Sequence, residues 1–261
     1  MTTANGRQLA LHAWGDASLP RVVCLHGVTG QGRHFGRLAE RLASRFHVLA
    51  PDLLGHGDSN YEPPWSIAAQ LDAIVETVGT ERAVWIGHSY GARLAVDIAA
   101  VRPLAVERLV LLDPAILLPP EVALFAAESG RAERSYASFS EAIDRRYVES
   151  ALDGAPRELL EEELATHLAV GSDGLWRYRY CQAAVVASYG EMASAPPPFS
   201  SLRVPTLLVL GSSSYLSYEH LLEDHRDALG ELLTVVEVQG GHTVLWDALD
   251  ETAGAIAAFL G

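Results

Sequence analysis

Along most of the chain, short runs of apolar residues alternate with segments whose apolar positions repeat with a helical period. A short apolar run predicts a strand that is covered on both faces of a sheet. The predicted buried strands are 21–27, 46–50, 82–86, 107–112, 205–211 and 233–238, and residues 8–14 alternate like an edge strand. The predicted helices are 35–44, 65–78, 92–102, 218–229 and 248–260. This order predicts an α/β fold with a doubly wound, mainly parallel sheet, whose ligands bind at the carboxyl ends of the strands.

The strand pattern is interrupted between residues 115 and 200, where the apolar positions predict several helices with polar breaks. We interpret 115–200 as a helical cap insertion, so that residues 1–114 and 201–261 form the two parts of one core. The insertion contains Trp176 and Tyr180. These aromatic residues are candidates either for packing within the insertion or for lining a substrate pocket.

Composition and charge narrow the classes of partner. The 33 acidic residues outnumber the 19 basic ones and give a formal net charge of −14, which repels nucleic acid and anionic lipid. No apolar stretch is long enough to cross a bilayer, so no membrane insertion is expected. Cys24 and Cys181 lie far apart without a metal-ligand spacing, and the first residues do not predict a secretory segment. We therefore expect a cytoplasmic protein with no metal site, and no pattern specifies its oligomeric state.

The segment Gly87-His88-Ser89-Tyr90-Gly91 lies where a predicted strand gives way to a predicted helix. A Gly-x-Ser-x-Gly turn at such a junction is tight, and glycine avoids a Cβ clash beside the serine. The turn lifts the serine hydroxyl out of the sheet, where it can attack a substrate. Ser89 is therefore our candidate nucleophile, and a purely structural turn is the alternative.

A serine hydroxyl is a poor nucleophile at neutral pH and needs an imidazole to accept its proton and later return it to the leaving group. His242 follows the last predicted strand, after two glycines, and is the candidate base. His26 ends an earlier strand, at the start of the Gly-rich loop 27–32, whose backbone N–H groups can bind an oxyanion. His26 is also a candidate for the substrate pocket.

These motifs together resemble the α/β-hydrolase fold, and within it the group of cofactor-free esterases, lipase-like enzymes and haloperoxidase-like enzymes. The resemblance covers nearly the whole chain outside the insertion. It is carried by His26-Gly27-Val28, Asp52 to Ser59, Gly87 to Gly91, and Gly241-His242-Thr243-Val244 with Asp247. It implies that the N–H groups of Val28 and Tyr90 form the oxyanion hole and that the enzyme uses no cofactor.

The acid that would orient the His242 imidazole is not at the usual position. Most members of the resembled group carry it in the loop after the strand at 205–211, but that loop is Ser212-Ser213-Ser214-Tyr215 and has no carboxylate. Some members carry the acid after the strand that follows the nucleophile helix, where this chain has Asp113. Asp113 is thus the candidate acid. The alternatives are Glu219, a Ser-His pair without an acid, or a structural role for Asp113.

The expected function is that of a serine hydrolase that cleaves small carboxylic esters through an acyl-enzyme, with Ser89, Asp113 and His242 as its triad. The expected partner is a small-molecule ester. Lactones, thioesters and carbon–carbon bonds of diketones are alternative substrates for the same residues. The resemblance disfavours a dehalogenase or an epoxide hydrolase, because these use an aspartate nucleophile where this chain has Ser89. A ligand-binding relative without catalysis is the alternative from another class.

Overall fold

The computed structural model describes residues 9–149, 152 and 155–261, and its centre is a seven-stranded sheet. The strands are β1 (Leu11–Trp14), β2 (Arg21–Leu25), β3 (His47–Pro51), β4 (Ala83–His88), β5 (Val106–Leu112), β6 (Ser135–Tyr136), β7 (Leu168–Val170), β8 (Trp176–Tyr178), β9 (Thr206–Gly211) and β10 (Leu233–Val238). The large sheet has the order β1-β3-β2-β4-β5-β9-β10, in which β1 is antiparallel to β3 and the other pairs are parallel. The predicted doubly wound, mainly parallel sheet is confirmed. Gln8 of the predicted edge strand lies outside the described residues.

The direction of winding reverses at β2. This strand has β3 on one side and β4 on the other, so the chain passes from one half of the sheet to the other between them. Leu25 lies opposite Gly87 near the carboxyl ends of both strands. An open α/β sheet leaves a crevice at such a switch point. The loops that follow β2 and β4 therefore meet at one crevice.

Ten helices of the described chain pack against this sheet or within the segment between β5 and β9. They are α1 (Gly36–Leu42), α2 (Ile67–Val78), α3 (Tyr90–Val101), α4 (Pro120–Arg131), α5 (Phe139–Glu149), α6 (Arg157–His167), α7 (Gln182–Met192), α8 (Glu219–Leu229), α9 (Val244–Asp247) and α10 (Leu249–Leu260). β4 is buried along its whole length, and α3 is buried from Tyr90 to Ala99. The turn between them is therefore fixed by packed elements on both sides. In the described part of the chain, every helix is too short or too polar to cross a bilayer.

The segment between β5 and β9 contains α4 to α7 and a three-stranded antiparallel sheet in the order β6-β8-β7. The sequence pattern at 115–200 predicts only helices. The small sheet in the structure therefore differs from that prediction. Its strands are two or three residues long, which is too short to show an alternating pattern. The division of the chain after residues 114 and 200 stays a prediction.

Arg93 of α3 forms hydrogen bonds with both ends of this segment. Its guanidinium donates to the carbonyl of Ile116 (2.8 Å), near the start of the segment, and to the carbonyls of Ser194 (2.9 Å) and Ala195 (3.2 Å), near its end. The side chain is 2% exposed, and its Nε donates to Asp97 Oδ2 at 2.7 Å. A buried charge is tolerated when it is paired and hydrogen-bonded in this way.

Candidate active site

Ser89 occupies a strained turn between β4 and α3. Its backbone has φ 54° and ψ −119°, a combination that residues with a side chain rarely adopt. A Cβ atom on Gly91 would lie 2.0 Å from the carbonyl oxygen of Leu25, and one on Gly87 would lie 2.4 Å from that of Gly91. Both positions therefore require glycine. Ser89 lies on the wall of a cavity of about 570 Å³, so the predicted turn presents its side chain to this cavity.

Asp113 and His242 are in direct contact, although they are far apart in the sequence. His242 Nδ1 lies 2.6 Å from Asp113 Oδ2. Asp113 follows β5 with φ 37°, in the left-handed region. Because an ionised carboxylate can only accept a hydrogen bond, this contact assigns the proton to His242 Nδ1 and leaves Nε2 with its lone pair. An imidazole held in this tautomer can accept a proton at Nε2.

The last residue of β9 and the serine-rich loop after it supply hydrogen bonds to Asp113 in place of a carboxylate. Ser214 Oγ donates to Asp113 Oδ2 at 2.5 Å, and the Gly211 N–H donates to Oδ1 at 2.9 Å. Asp113 is 2% exposed, so these donors replace water around a buried charge. The contacts cannot be predicted from the sequence, in which this loop stands out only for the carboxylate that it lacks.

His88, inside the turn, holds the backbone of the His242 loop. Its Nε2 donates to the carbonyl oxygen of His242 at 2.9 Å, and the two ring centroids are 4.8 Å apart. Burial, and then the charge of His242, lower the pKa of His88 to about 3. The His88 ring is therefore neutral and serves as a donor. Sequence reasoning missed this role, because the motif leaves the position between Gly87 and Ser89 unspecified.

Ser89 and His242 face the same cavity. No hydrogen bond joins Ser89 Oγ to the His242 ring within the described ranges. Catalytic hydrogen bonds are often long without a substrate and tighten when one binds. Since Asp113 fixes the ring at Nδ1, Nε2 is the nitrogen that remains available to Ser89.

The loop after β2 passes directly against Ser89. A Cβ atom on Gly27 would lie 3.0 Å from the Ser89 Cβ, and Thr29 has φ 62°, which turns the chain sharply after Val28. The Val28 N–H has no hydrogen-bond acceptor among the residues that the structure describes. Tyr90 is the first residue of α3, so its N–H has no partner within the helix. Two available N–H groups beside a hydroxyl are what an oxyanion requires.

His26 braces this loop and does not line the cavity. It is fully buried, its Nδ1 donates to the Gly27 carbonyl (2.8 Å) and its Nε2 accepts from the Leu53 N–H (2.9 Å). Burial lowers the pKa of His26 well below its ordinary value, which keeps the ring neutral as this pairing requires. The structure corrects the predicted pocket role of His26, since the backbone engages both of its ring nitrogens.

Trp176 and Tyr180 also lie outside the lining of the cavity around Ser89. Trp176 packs against Phe139, with the ring centroids 5.4 Å apart. Tyr180 stacks on Tyr178 at 5.6 Å and borders a separate cavity of about 180 Å³. The structure corrects both pocket predictions in favour of the packing alternative, because these rings form the core around the small sheet.

The lining of the cavity around Ser89 contains two kinds of side chain. One kind is apolar, and half of these residues come from α4: Leu118, Val122, Phe125, Ala126, Met192 and Leu216. The other kind is titratable: His34, Arg134, Arg146 and Glu149. Pockets of this kind bind a molecule by its apolar body and orient it by a few polar contacts.

His34, Glu163 and His167 form a group whose possible metal-ligand atoms lie within 4.8 Å of one another. Glu163 Oε1 contacts both imidazoles directly and lies 2.7 Å from His167 Nδ1. Donor atoms around tetrahedral zinc, with bonds of about 2 Å, lie roughly 3.3 Å apart. Burial opposes the charge of Glu163, but the two histidines outweigh it and hold its pKa well below the usual value. The group is thus a hydrogen-bonded network, and the expected absence of a metal stays a prediction.

A model described as the alpha/beta hydrolase family matches residues 22–255. The chain belongs to the alpha/beta hydrolase family. This match confirms the resemblance inferred from the motifs. The curated relatives also support the assignment as a hydrolase. The hydrolase is 33% identical over 258 residues to Lipase LipV of Mycobacterium tuberculosis, covering 97% of this chain and 98% of that one.

Two further relatives cover most of this hydrolase. It is 29% identical over 261 residues to the sn-1-specific diacylglycerol lipase of Mus musculus, covering 94% of this chain and 82% of that one. The crystal structure of E-2-(acetamidomethylene)succinate hydrolase matches with a TM-score of 0.85 and 25% identity over 97% of both chains. The predicted α/β-hydrolase fold is therefore confirmed.

Proposed function

We propose that this hydrolase cleaves small carboxylic esters through an acyl-enzyme on Ser89. His242 acts as general base and acid, Asp113 orients its imidazole, and the N–H groups of Val28 and Tyr90 bind the oxyanion. Two relatives that are named as lipases support an ester substrate. The observation that carries the proposal is the 2.6 Å contact between His242 Nδ1 and Asp113 Oδ2, beside the cavity that Ser89 lines.

In the first half of the reaction, His242 Nε2 accepts the proton of the Ser89 hydroxyl while Oγ bonds to the ester carbonyl carbon. The carbonyl oxygen becomes an oxyanion between the N–H groups of Val28 and Tyr90. The bond to the alcohol oxygen then breaks, and the alcohol leaves with the proton that His242 held. Water repeats the sequence on the acyl-enzyme, with His242 as base, and releases the carboxylic acid.

Asp113, and not Glu219, is the acid in this mechanism. Asp113 contacts His242 and accepts two further hydrogen bonds. Glu219 is exposed at the start of α8 and makes no hydrogen bond to His242 in the part of the chain that the structure describes. The chain order Ser89, Asp113, His242 is also the order expected for this fold.

Steady-state hydrolysis of p-nitrophenyl acetate and butyrate tests the proposal. We expect Ser89→Ala to lose turnover by several orders of magnitude, because no oxygen remains to attack the carbonyl. Ser213→Ala is the matched control, since Ser213 is an exposed serine of the loop after β9, and it should retain wild-type turnover. Equal turnover by Ser89→Ala and wild type would contradict the proposal. Wild-type protein that binds esters without turnover would favour the non-catalytic alternative.

Lactones and thioesters belong in the same assay, because they use the same attack by serine. We expect the highest kcat/KM for esters. A higher value for a lactone or a thioester would change the substrate class and leave the roles of Ser89 and His242 as proposed.

A further inference from the structure

Arg146 of α5 is a buried cation on the wall of the cavity around Ser89 and is only 6% exposed. No carboxylate oxygen of the described residues lies within 4.0 Å of its guanidinium nitrogens, and its Nε has no hydrogen-bond partner there. A charge that is withdrawn from water is costly unless a counter-charge and hydrogen bonds replace the water. A molecule bound in the cavity can supply that missing partner.

The surroundings keep Arg146 charged and hold it in place. Its guanidinium carbon lies 5.2 Å from the ring centroid of Trp246 and 5.4 Å from that of Tyr178, and aromatic faces attract cations. Burial lowers the pKa of Arg146, but Tyr178, Glu163 and Tyr180 outweigh burial and raise it above the ordinary arginine value. The guanidinium is therefore a fixed positive charge.

The acidic side chains around Arg146 already have other partners. Glu149 pairs with two other arginines and accepts from a tyrosine hydroxyl, at distances of 2.7–3.6 Å. Glu163 uses its Oε1 to contact His34 and His167. Glu163 Oε2 has no hydrogen-bond partner among the described residues, but neither carboxylate lies within 4.0 Å of the guanidinium nitrogens of Arg146 there.

A chain of contacts connects Arg146 to the loop that carries the candidate oxyanion hole. The Trp246 ring, which contacts Arg146, lies 5.0 Å from the His34 ring. A Cβ atom on Gly30 would lie 3.1 Å from His34 Nδ1, so His34 packs against the end of that loop. Trp246 and His34 thus link the guanidinium of Arg146 to the oxyanion loop.

We propose that Arg146 binds a free carboxylate of the substrate, so that the preferred substrates are esters that carry a second, ionised carboxyl group, such as monoesters of dicarboxylic acids. This inference rests on the proposed ester hydrolysis at Ser89. A guanidinium presents parallel N–H groups that match the two oxygens of a carboxylate. Because the chain has a net charge of −14 and repels anions in general, an anionic substrate needs such a local positive site.

A matched pair of substrates tests the proposal. Mono-p-nitrophenyl glutarate carries a terminal carboxylate, and its primary amide has the same shape without the charge. We expect wild-type kcat/KM to be at least about tenfold higher for the carboxylate, as for a charge-assisted hydrogen bond that the amide lacks. A ratio near one would overturn the proposal.

Substitutions of Arg146 assign the preference to its side chain. We expect the carboxylate-to-amide ratio to fall to near one in Arg146→Met and to an intermediate value in Arg146→Lys, which keeps the charge and loses the fork. Arg145→Met is the matched control, since Arg145 is the adjacent, 59% exposed arginine of the same helix, and it should keep the wild-type ratio. An unchanged ratio in folded Arg146→Met, or in Arg146→Lys if the methionine variant does not fold, would overturn the proposal.

A binding experiment separates this inference from the proposed reaction. Calorimetry with glutarate and Ser89→Ala protein requires no turnover, and we expect glutarate to bind with at least about tenfold higher affinity than glutaramide. Equal affinities would overturn the anion site even if ester hydrolysis is confirmed. Preferential glutarate binding without ester turnover would leave the anion site standing and refute the proposed function.

Discussion

The carboxylate of Asp113 is held by groups from separate parts of the chain, namely His242, Ser214 and Gly211. An acid at the end of β5 can serve the same imidazole as one after β9, because these strands are parallel neighbours and Leu112 lies opposite Val209. Their carboxyl ends therefore open onto the same point. The loop after β9 has no carboxylate at Ser212 to Tyr215, and its Ser214 donates to the carboxylate of Asp113.

Asp113→Asn tests the acid at the scale of one side chain. We expect kcat for p-nitrophenyl esters to fall by about ten-thousandfold, because asparagine no longer holds the imidazole in the tautomer with Nδ1 protonated. Glu219→Gln is the control and should retain wild-type kcat. Near wild-type turnover in Asp113→Asn together with an inactive Glu219→Gln would move the acid to α8.

The proximity of Ser89, Asp113 and His242 could be predicted from the sequence, because each follows a strand and parallel strands bring their carboxyl ends to one edge. His26 also follows a strand, but its two ring nitrogens bind the backbone, which no hydrophobic pattern reveals. The buried Nε of Arg146 has no hydrogen-bond partner among the described residues. A sequence pattern does not reveal such an unpaired group, because it depends on how the side chains pack.

At the scale of elements, α3 joins the turn at Ser89 to the segment between β5 and β9. The helix begins immediately after Ser89, and four residues further on Arg93 binds carbonyls at both ends of the segment between β5 and β9. The same helix therefore supports the candidate nucleophile and the polypeptide that supplies many of the residues lining the cavity. The small sheet inside that segment escaped prediction because its strands are too short for periodicity.

Arg93→Met should lower the free energy of unfolding by about 3–5 kcal/mol, because it leaves the buried Asp97 carboxylate without its partner. Urea denaturation measures this loss. The double variant Arg93→Met/Asp97→Leu should recover part of it, since no unpaired charge remains. Arg102→Met changes an arginine at the exposed end of the same helix and should have little effect. A loss no larger than that of Arg102→Met would show that the hydrogen bonds of Arg93 contribute little to stability.

At the scale of the whole molecule, several buried histidines are held neutral. Burial lowers the pKa of His56 to about 4, and burial with the charge of His242 lowers that of His88 to about 3, from an ordinary value of 6.5. The unfolded chain therefore binds protons that the folded chain excludes as the pH falls below about 6.5.

The predicted cytoplasmic localisation of the whole molecule stays a prediction.

Stability should consequently be fully present above pH 6.5 and decline as the pH falls towards the folded pKa of about 4 for His56. Each such histidine adds a slope of up to about 1.4 kcal/mol per pH unit in that window. Urea denaturation between about pH 7 and pH 5 measures the slope. His56→Asn cannot titrate and should make the slope shallower. Stability that is constant across this range would contradict the assignment of neutral, buried imidazoles.

The most direct test of the central claim is peptide mass spectrometry after treatment with a fluorophosphonate, which traps an activated serine. We predict an adduct on the peptide that contains Ser89, its absence from Ser89→Ala, and much slower formation in His242→Gln. An adduct on another residue, or no adduct on Ser89 in protein that hydrolyses esters, would contradict an acyl-enzyme at this serine.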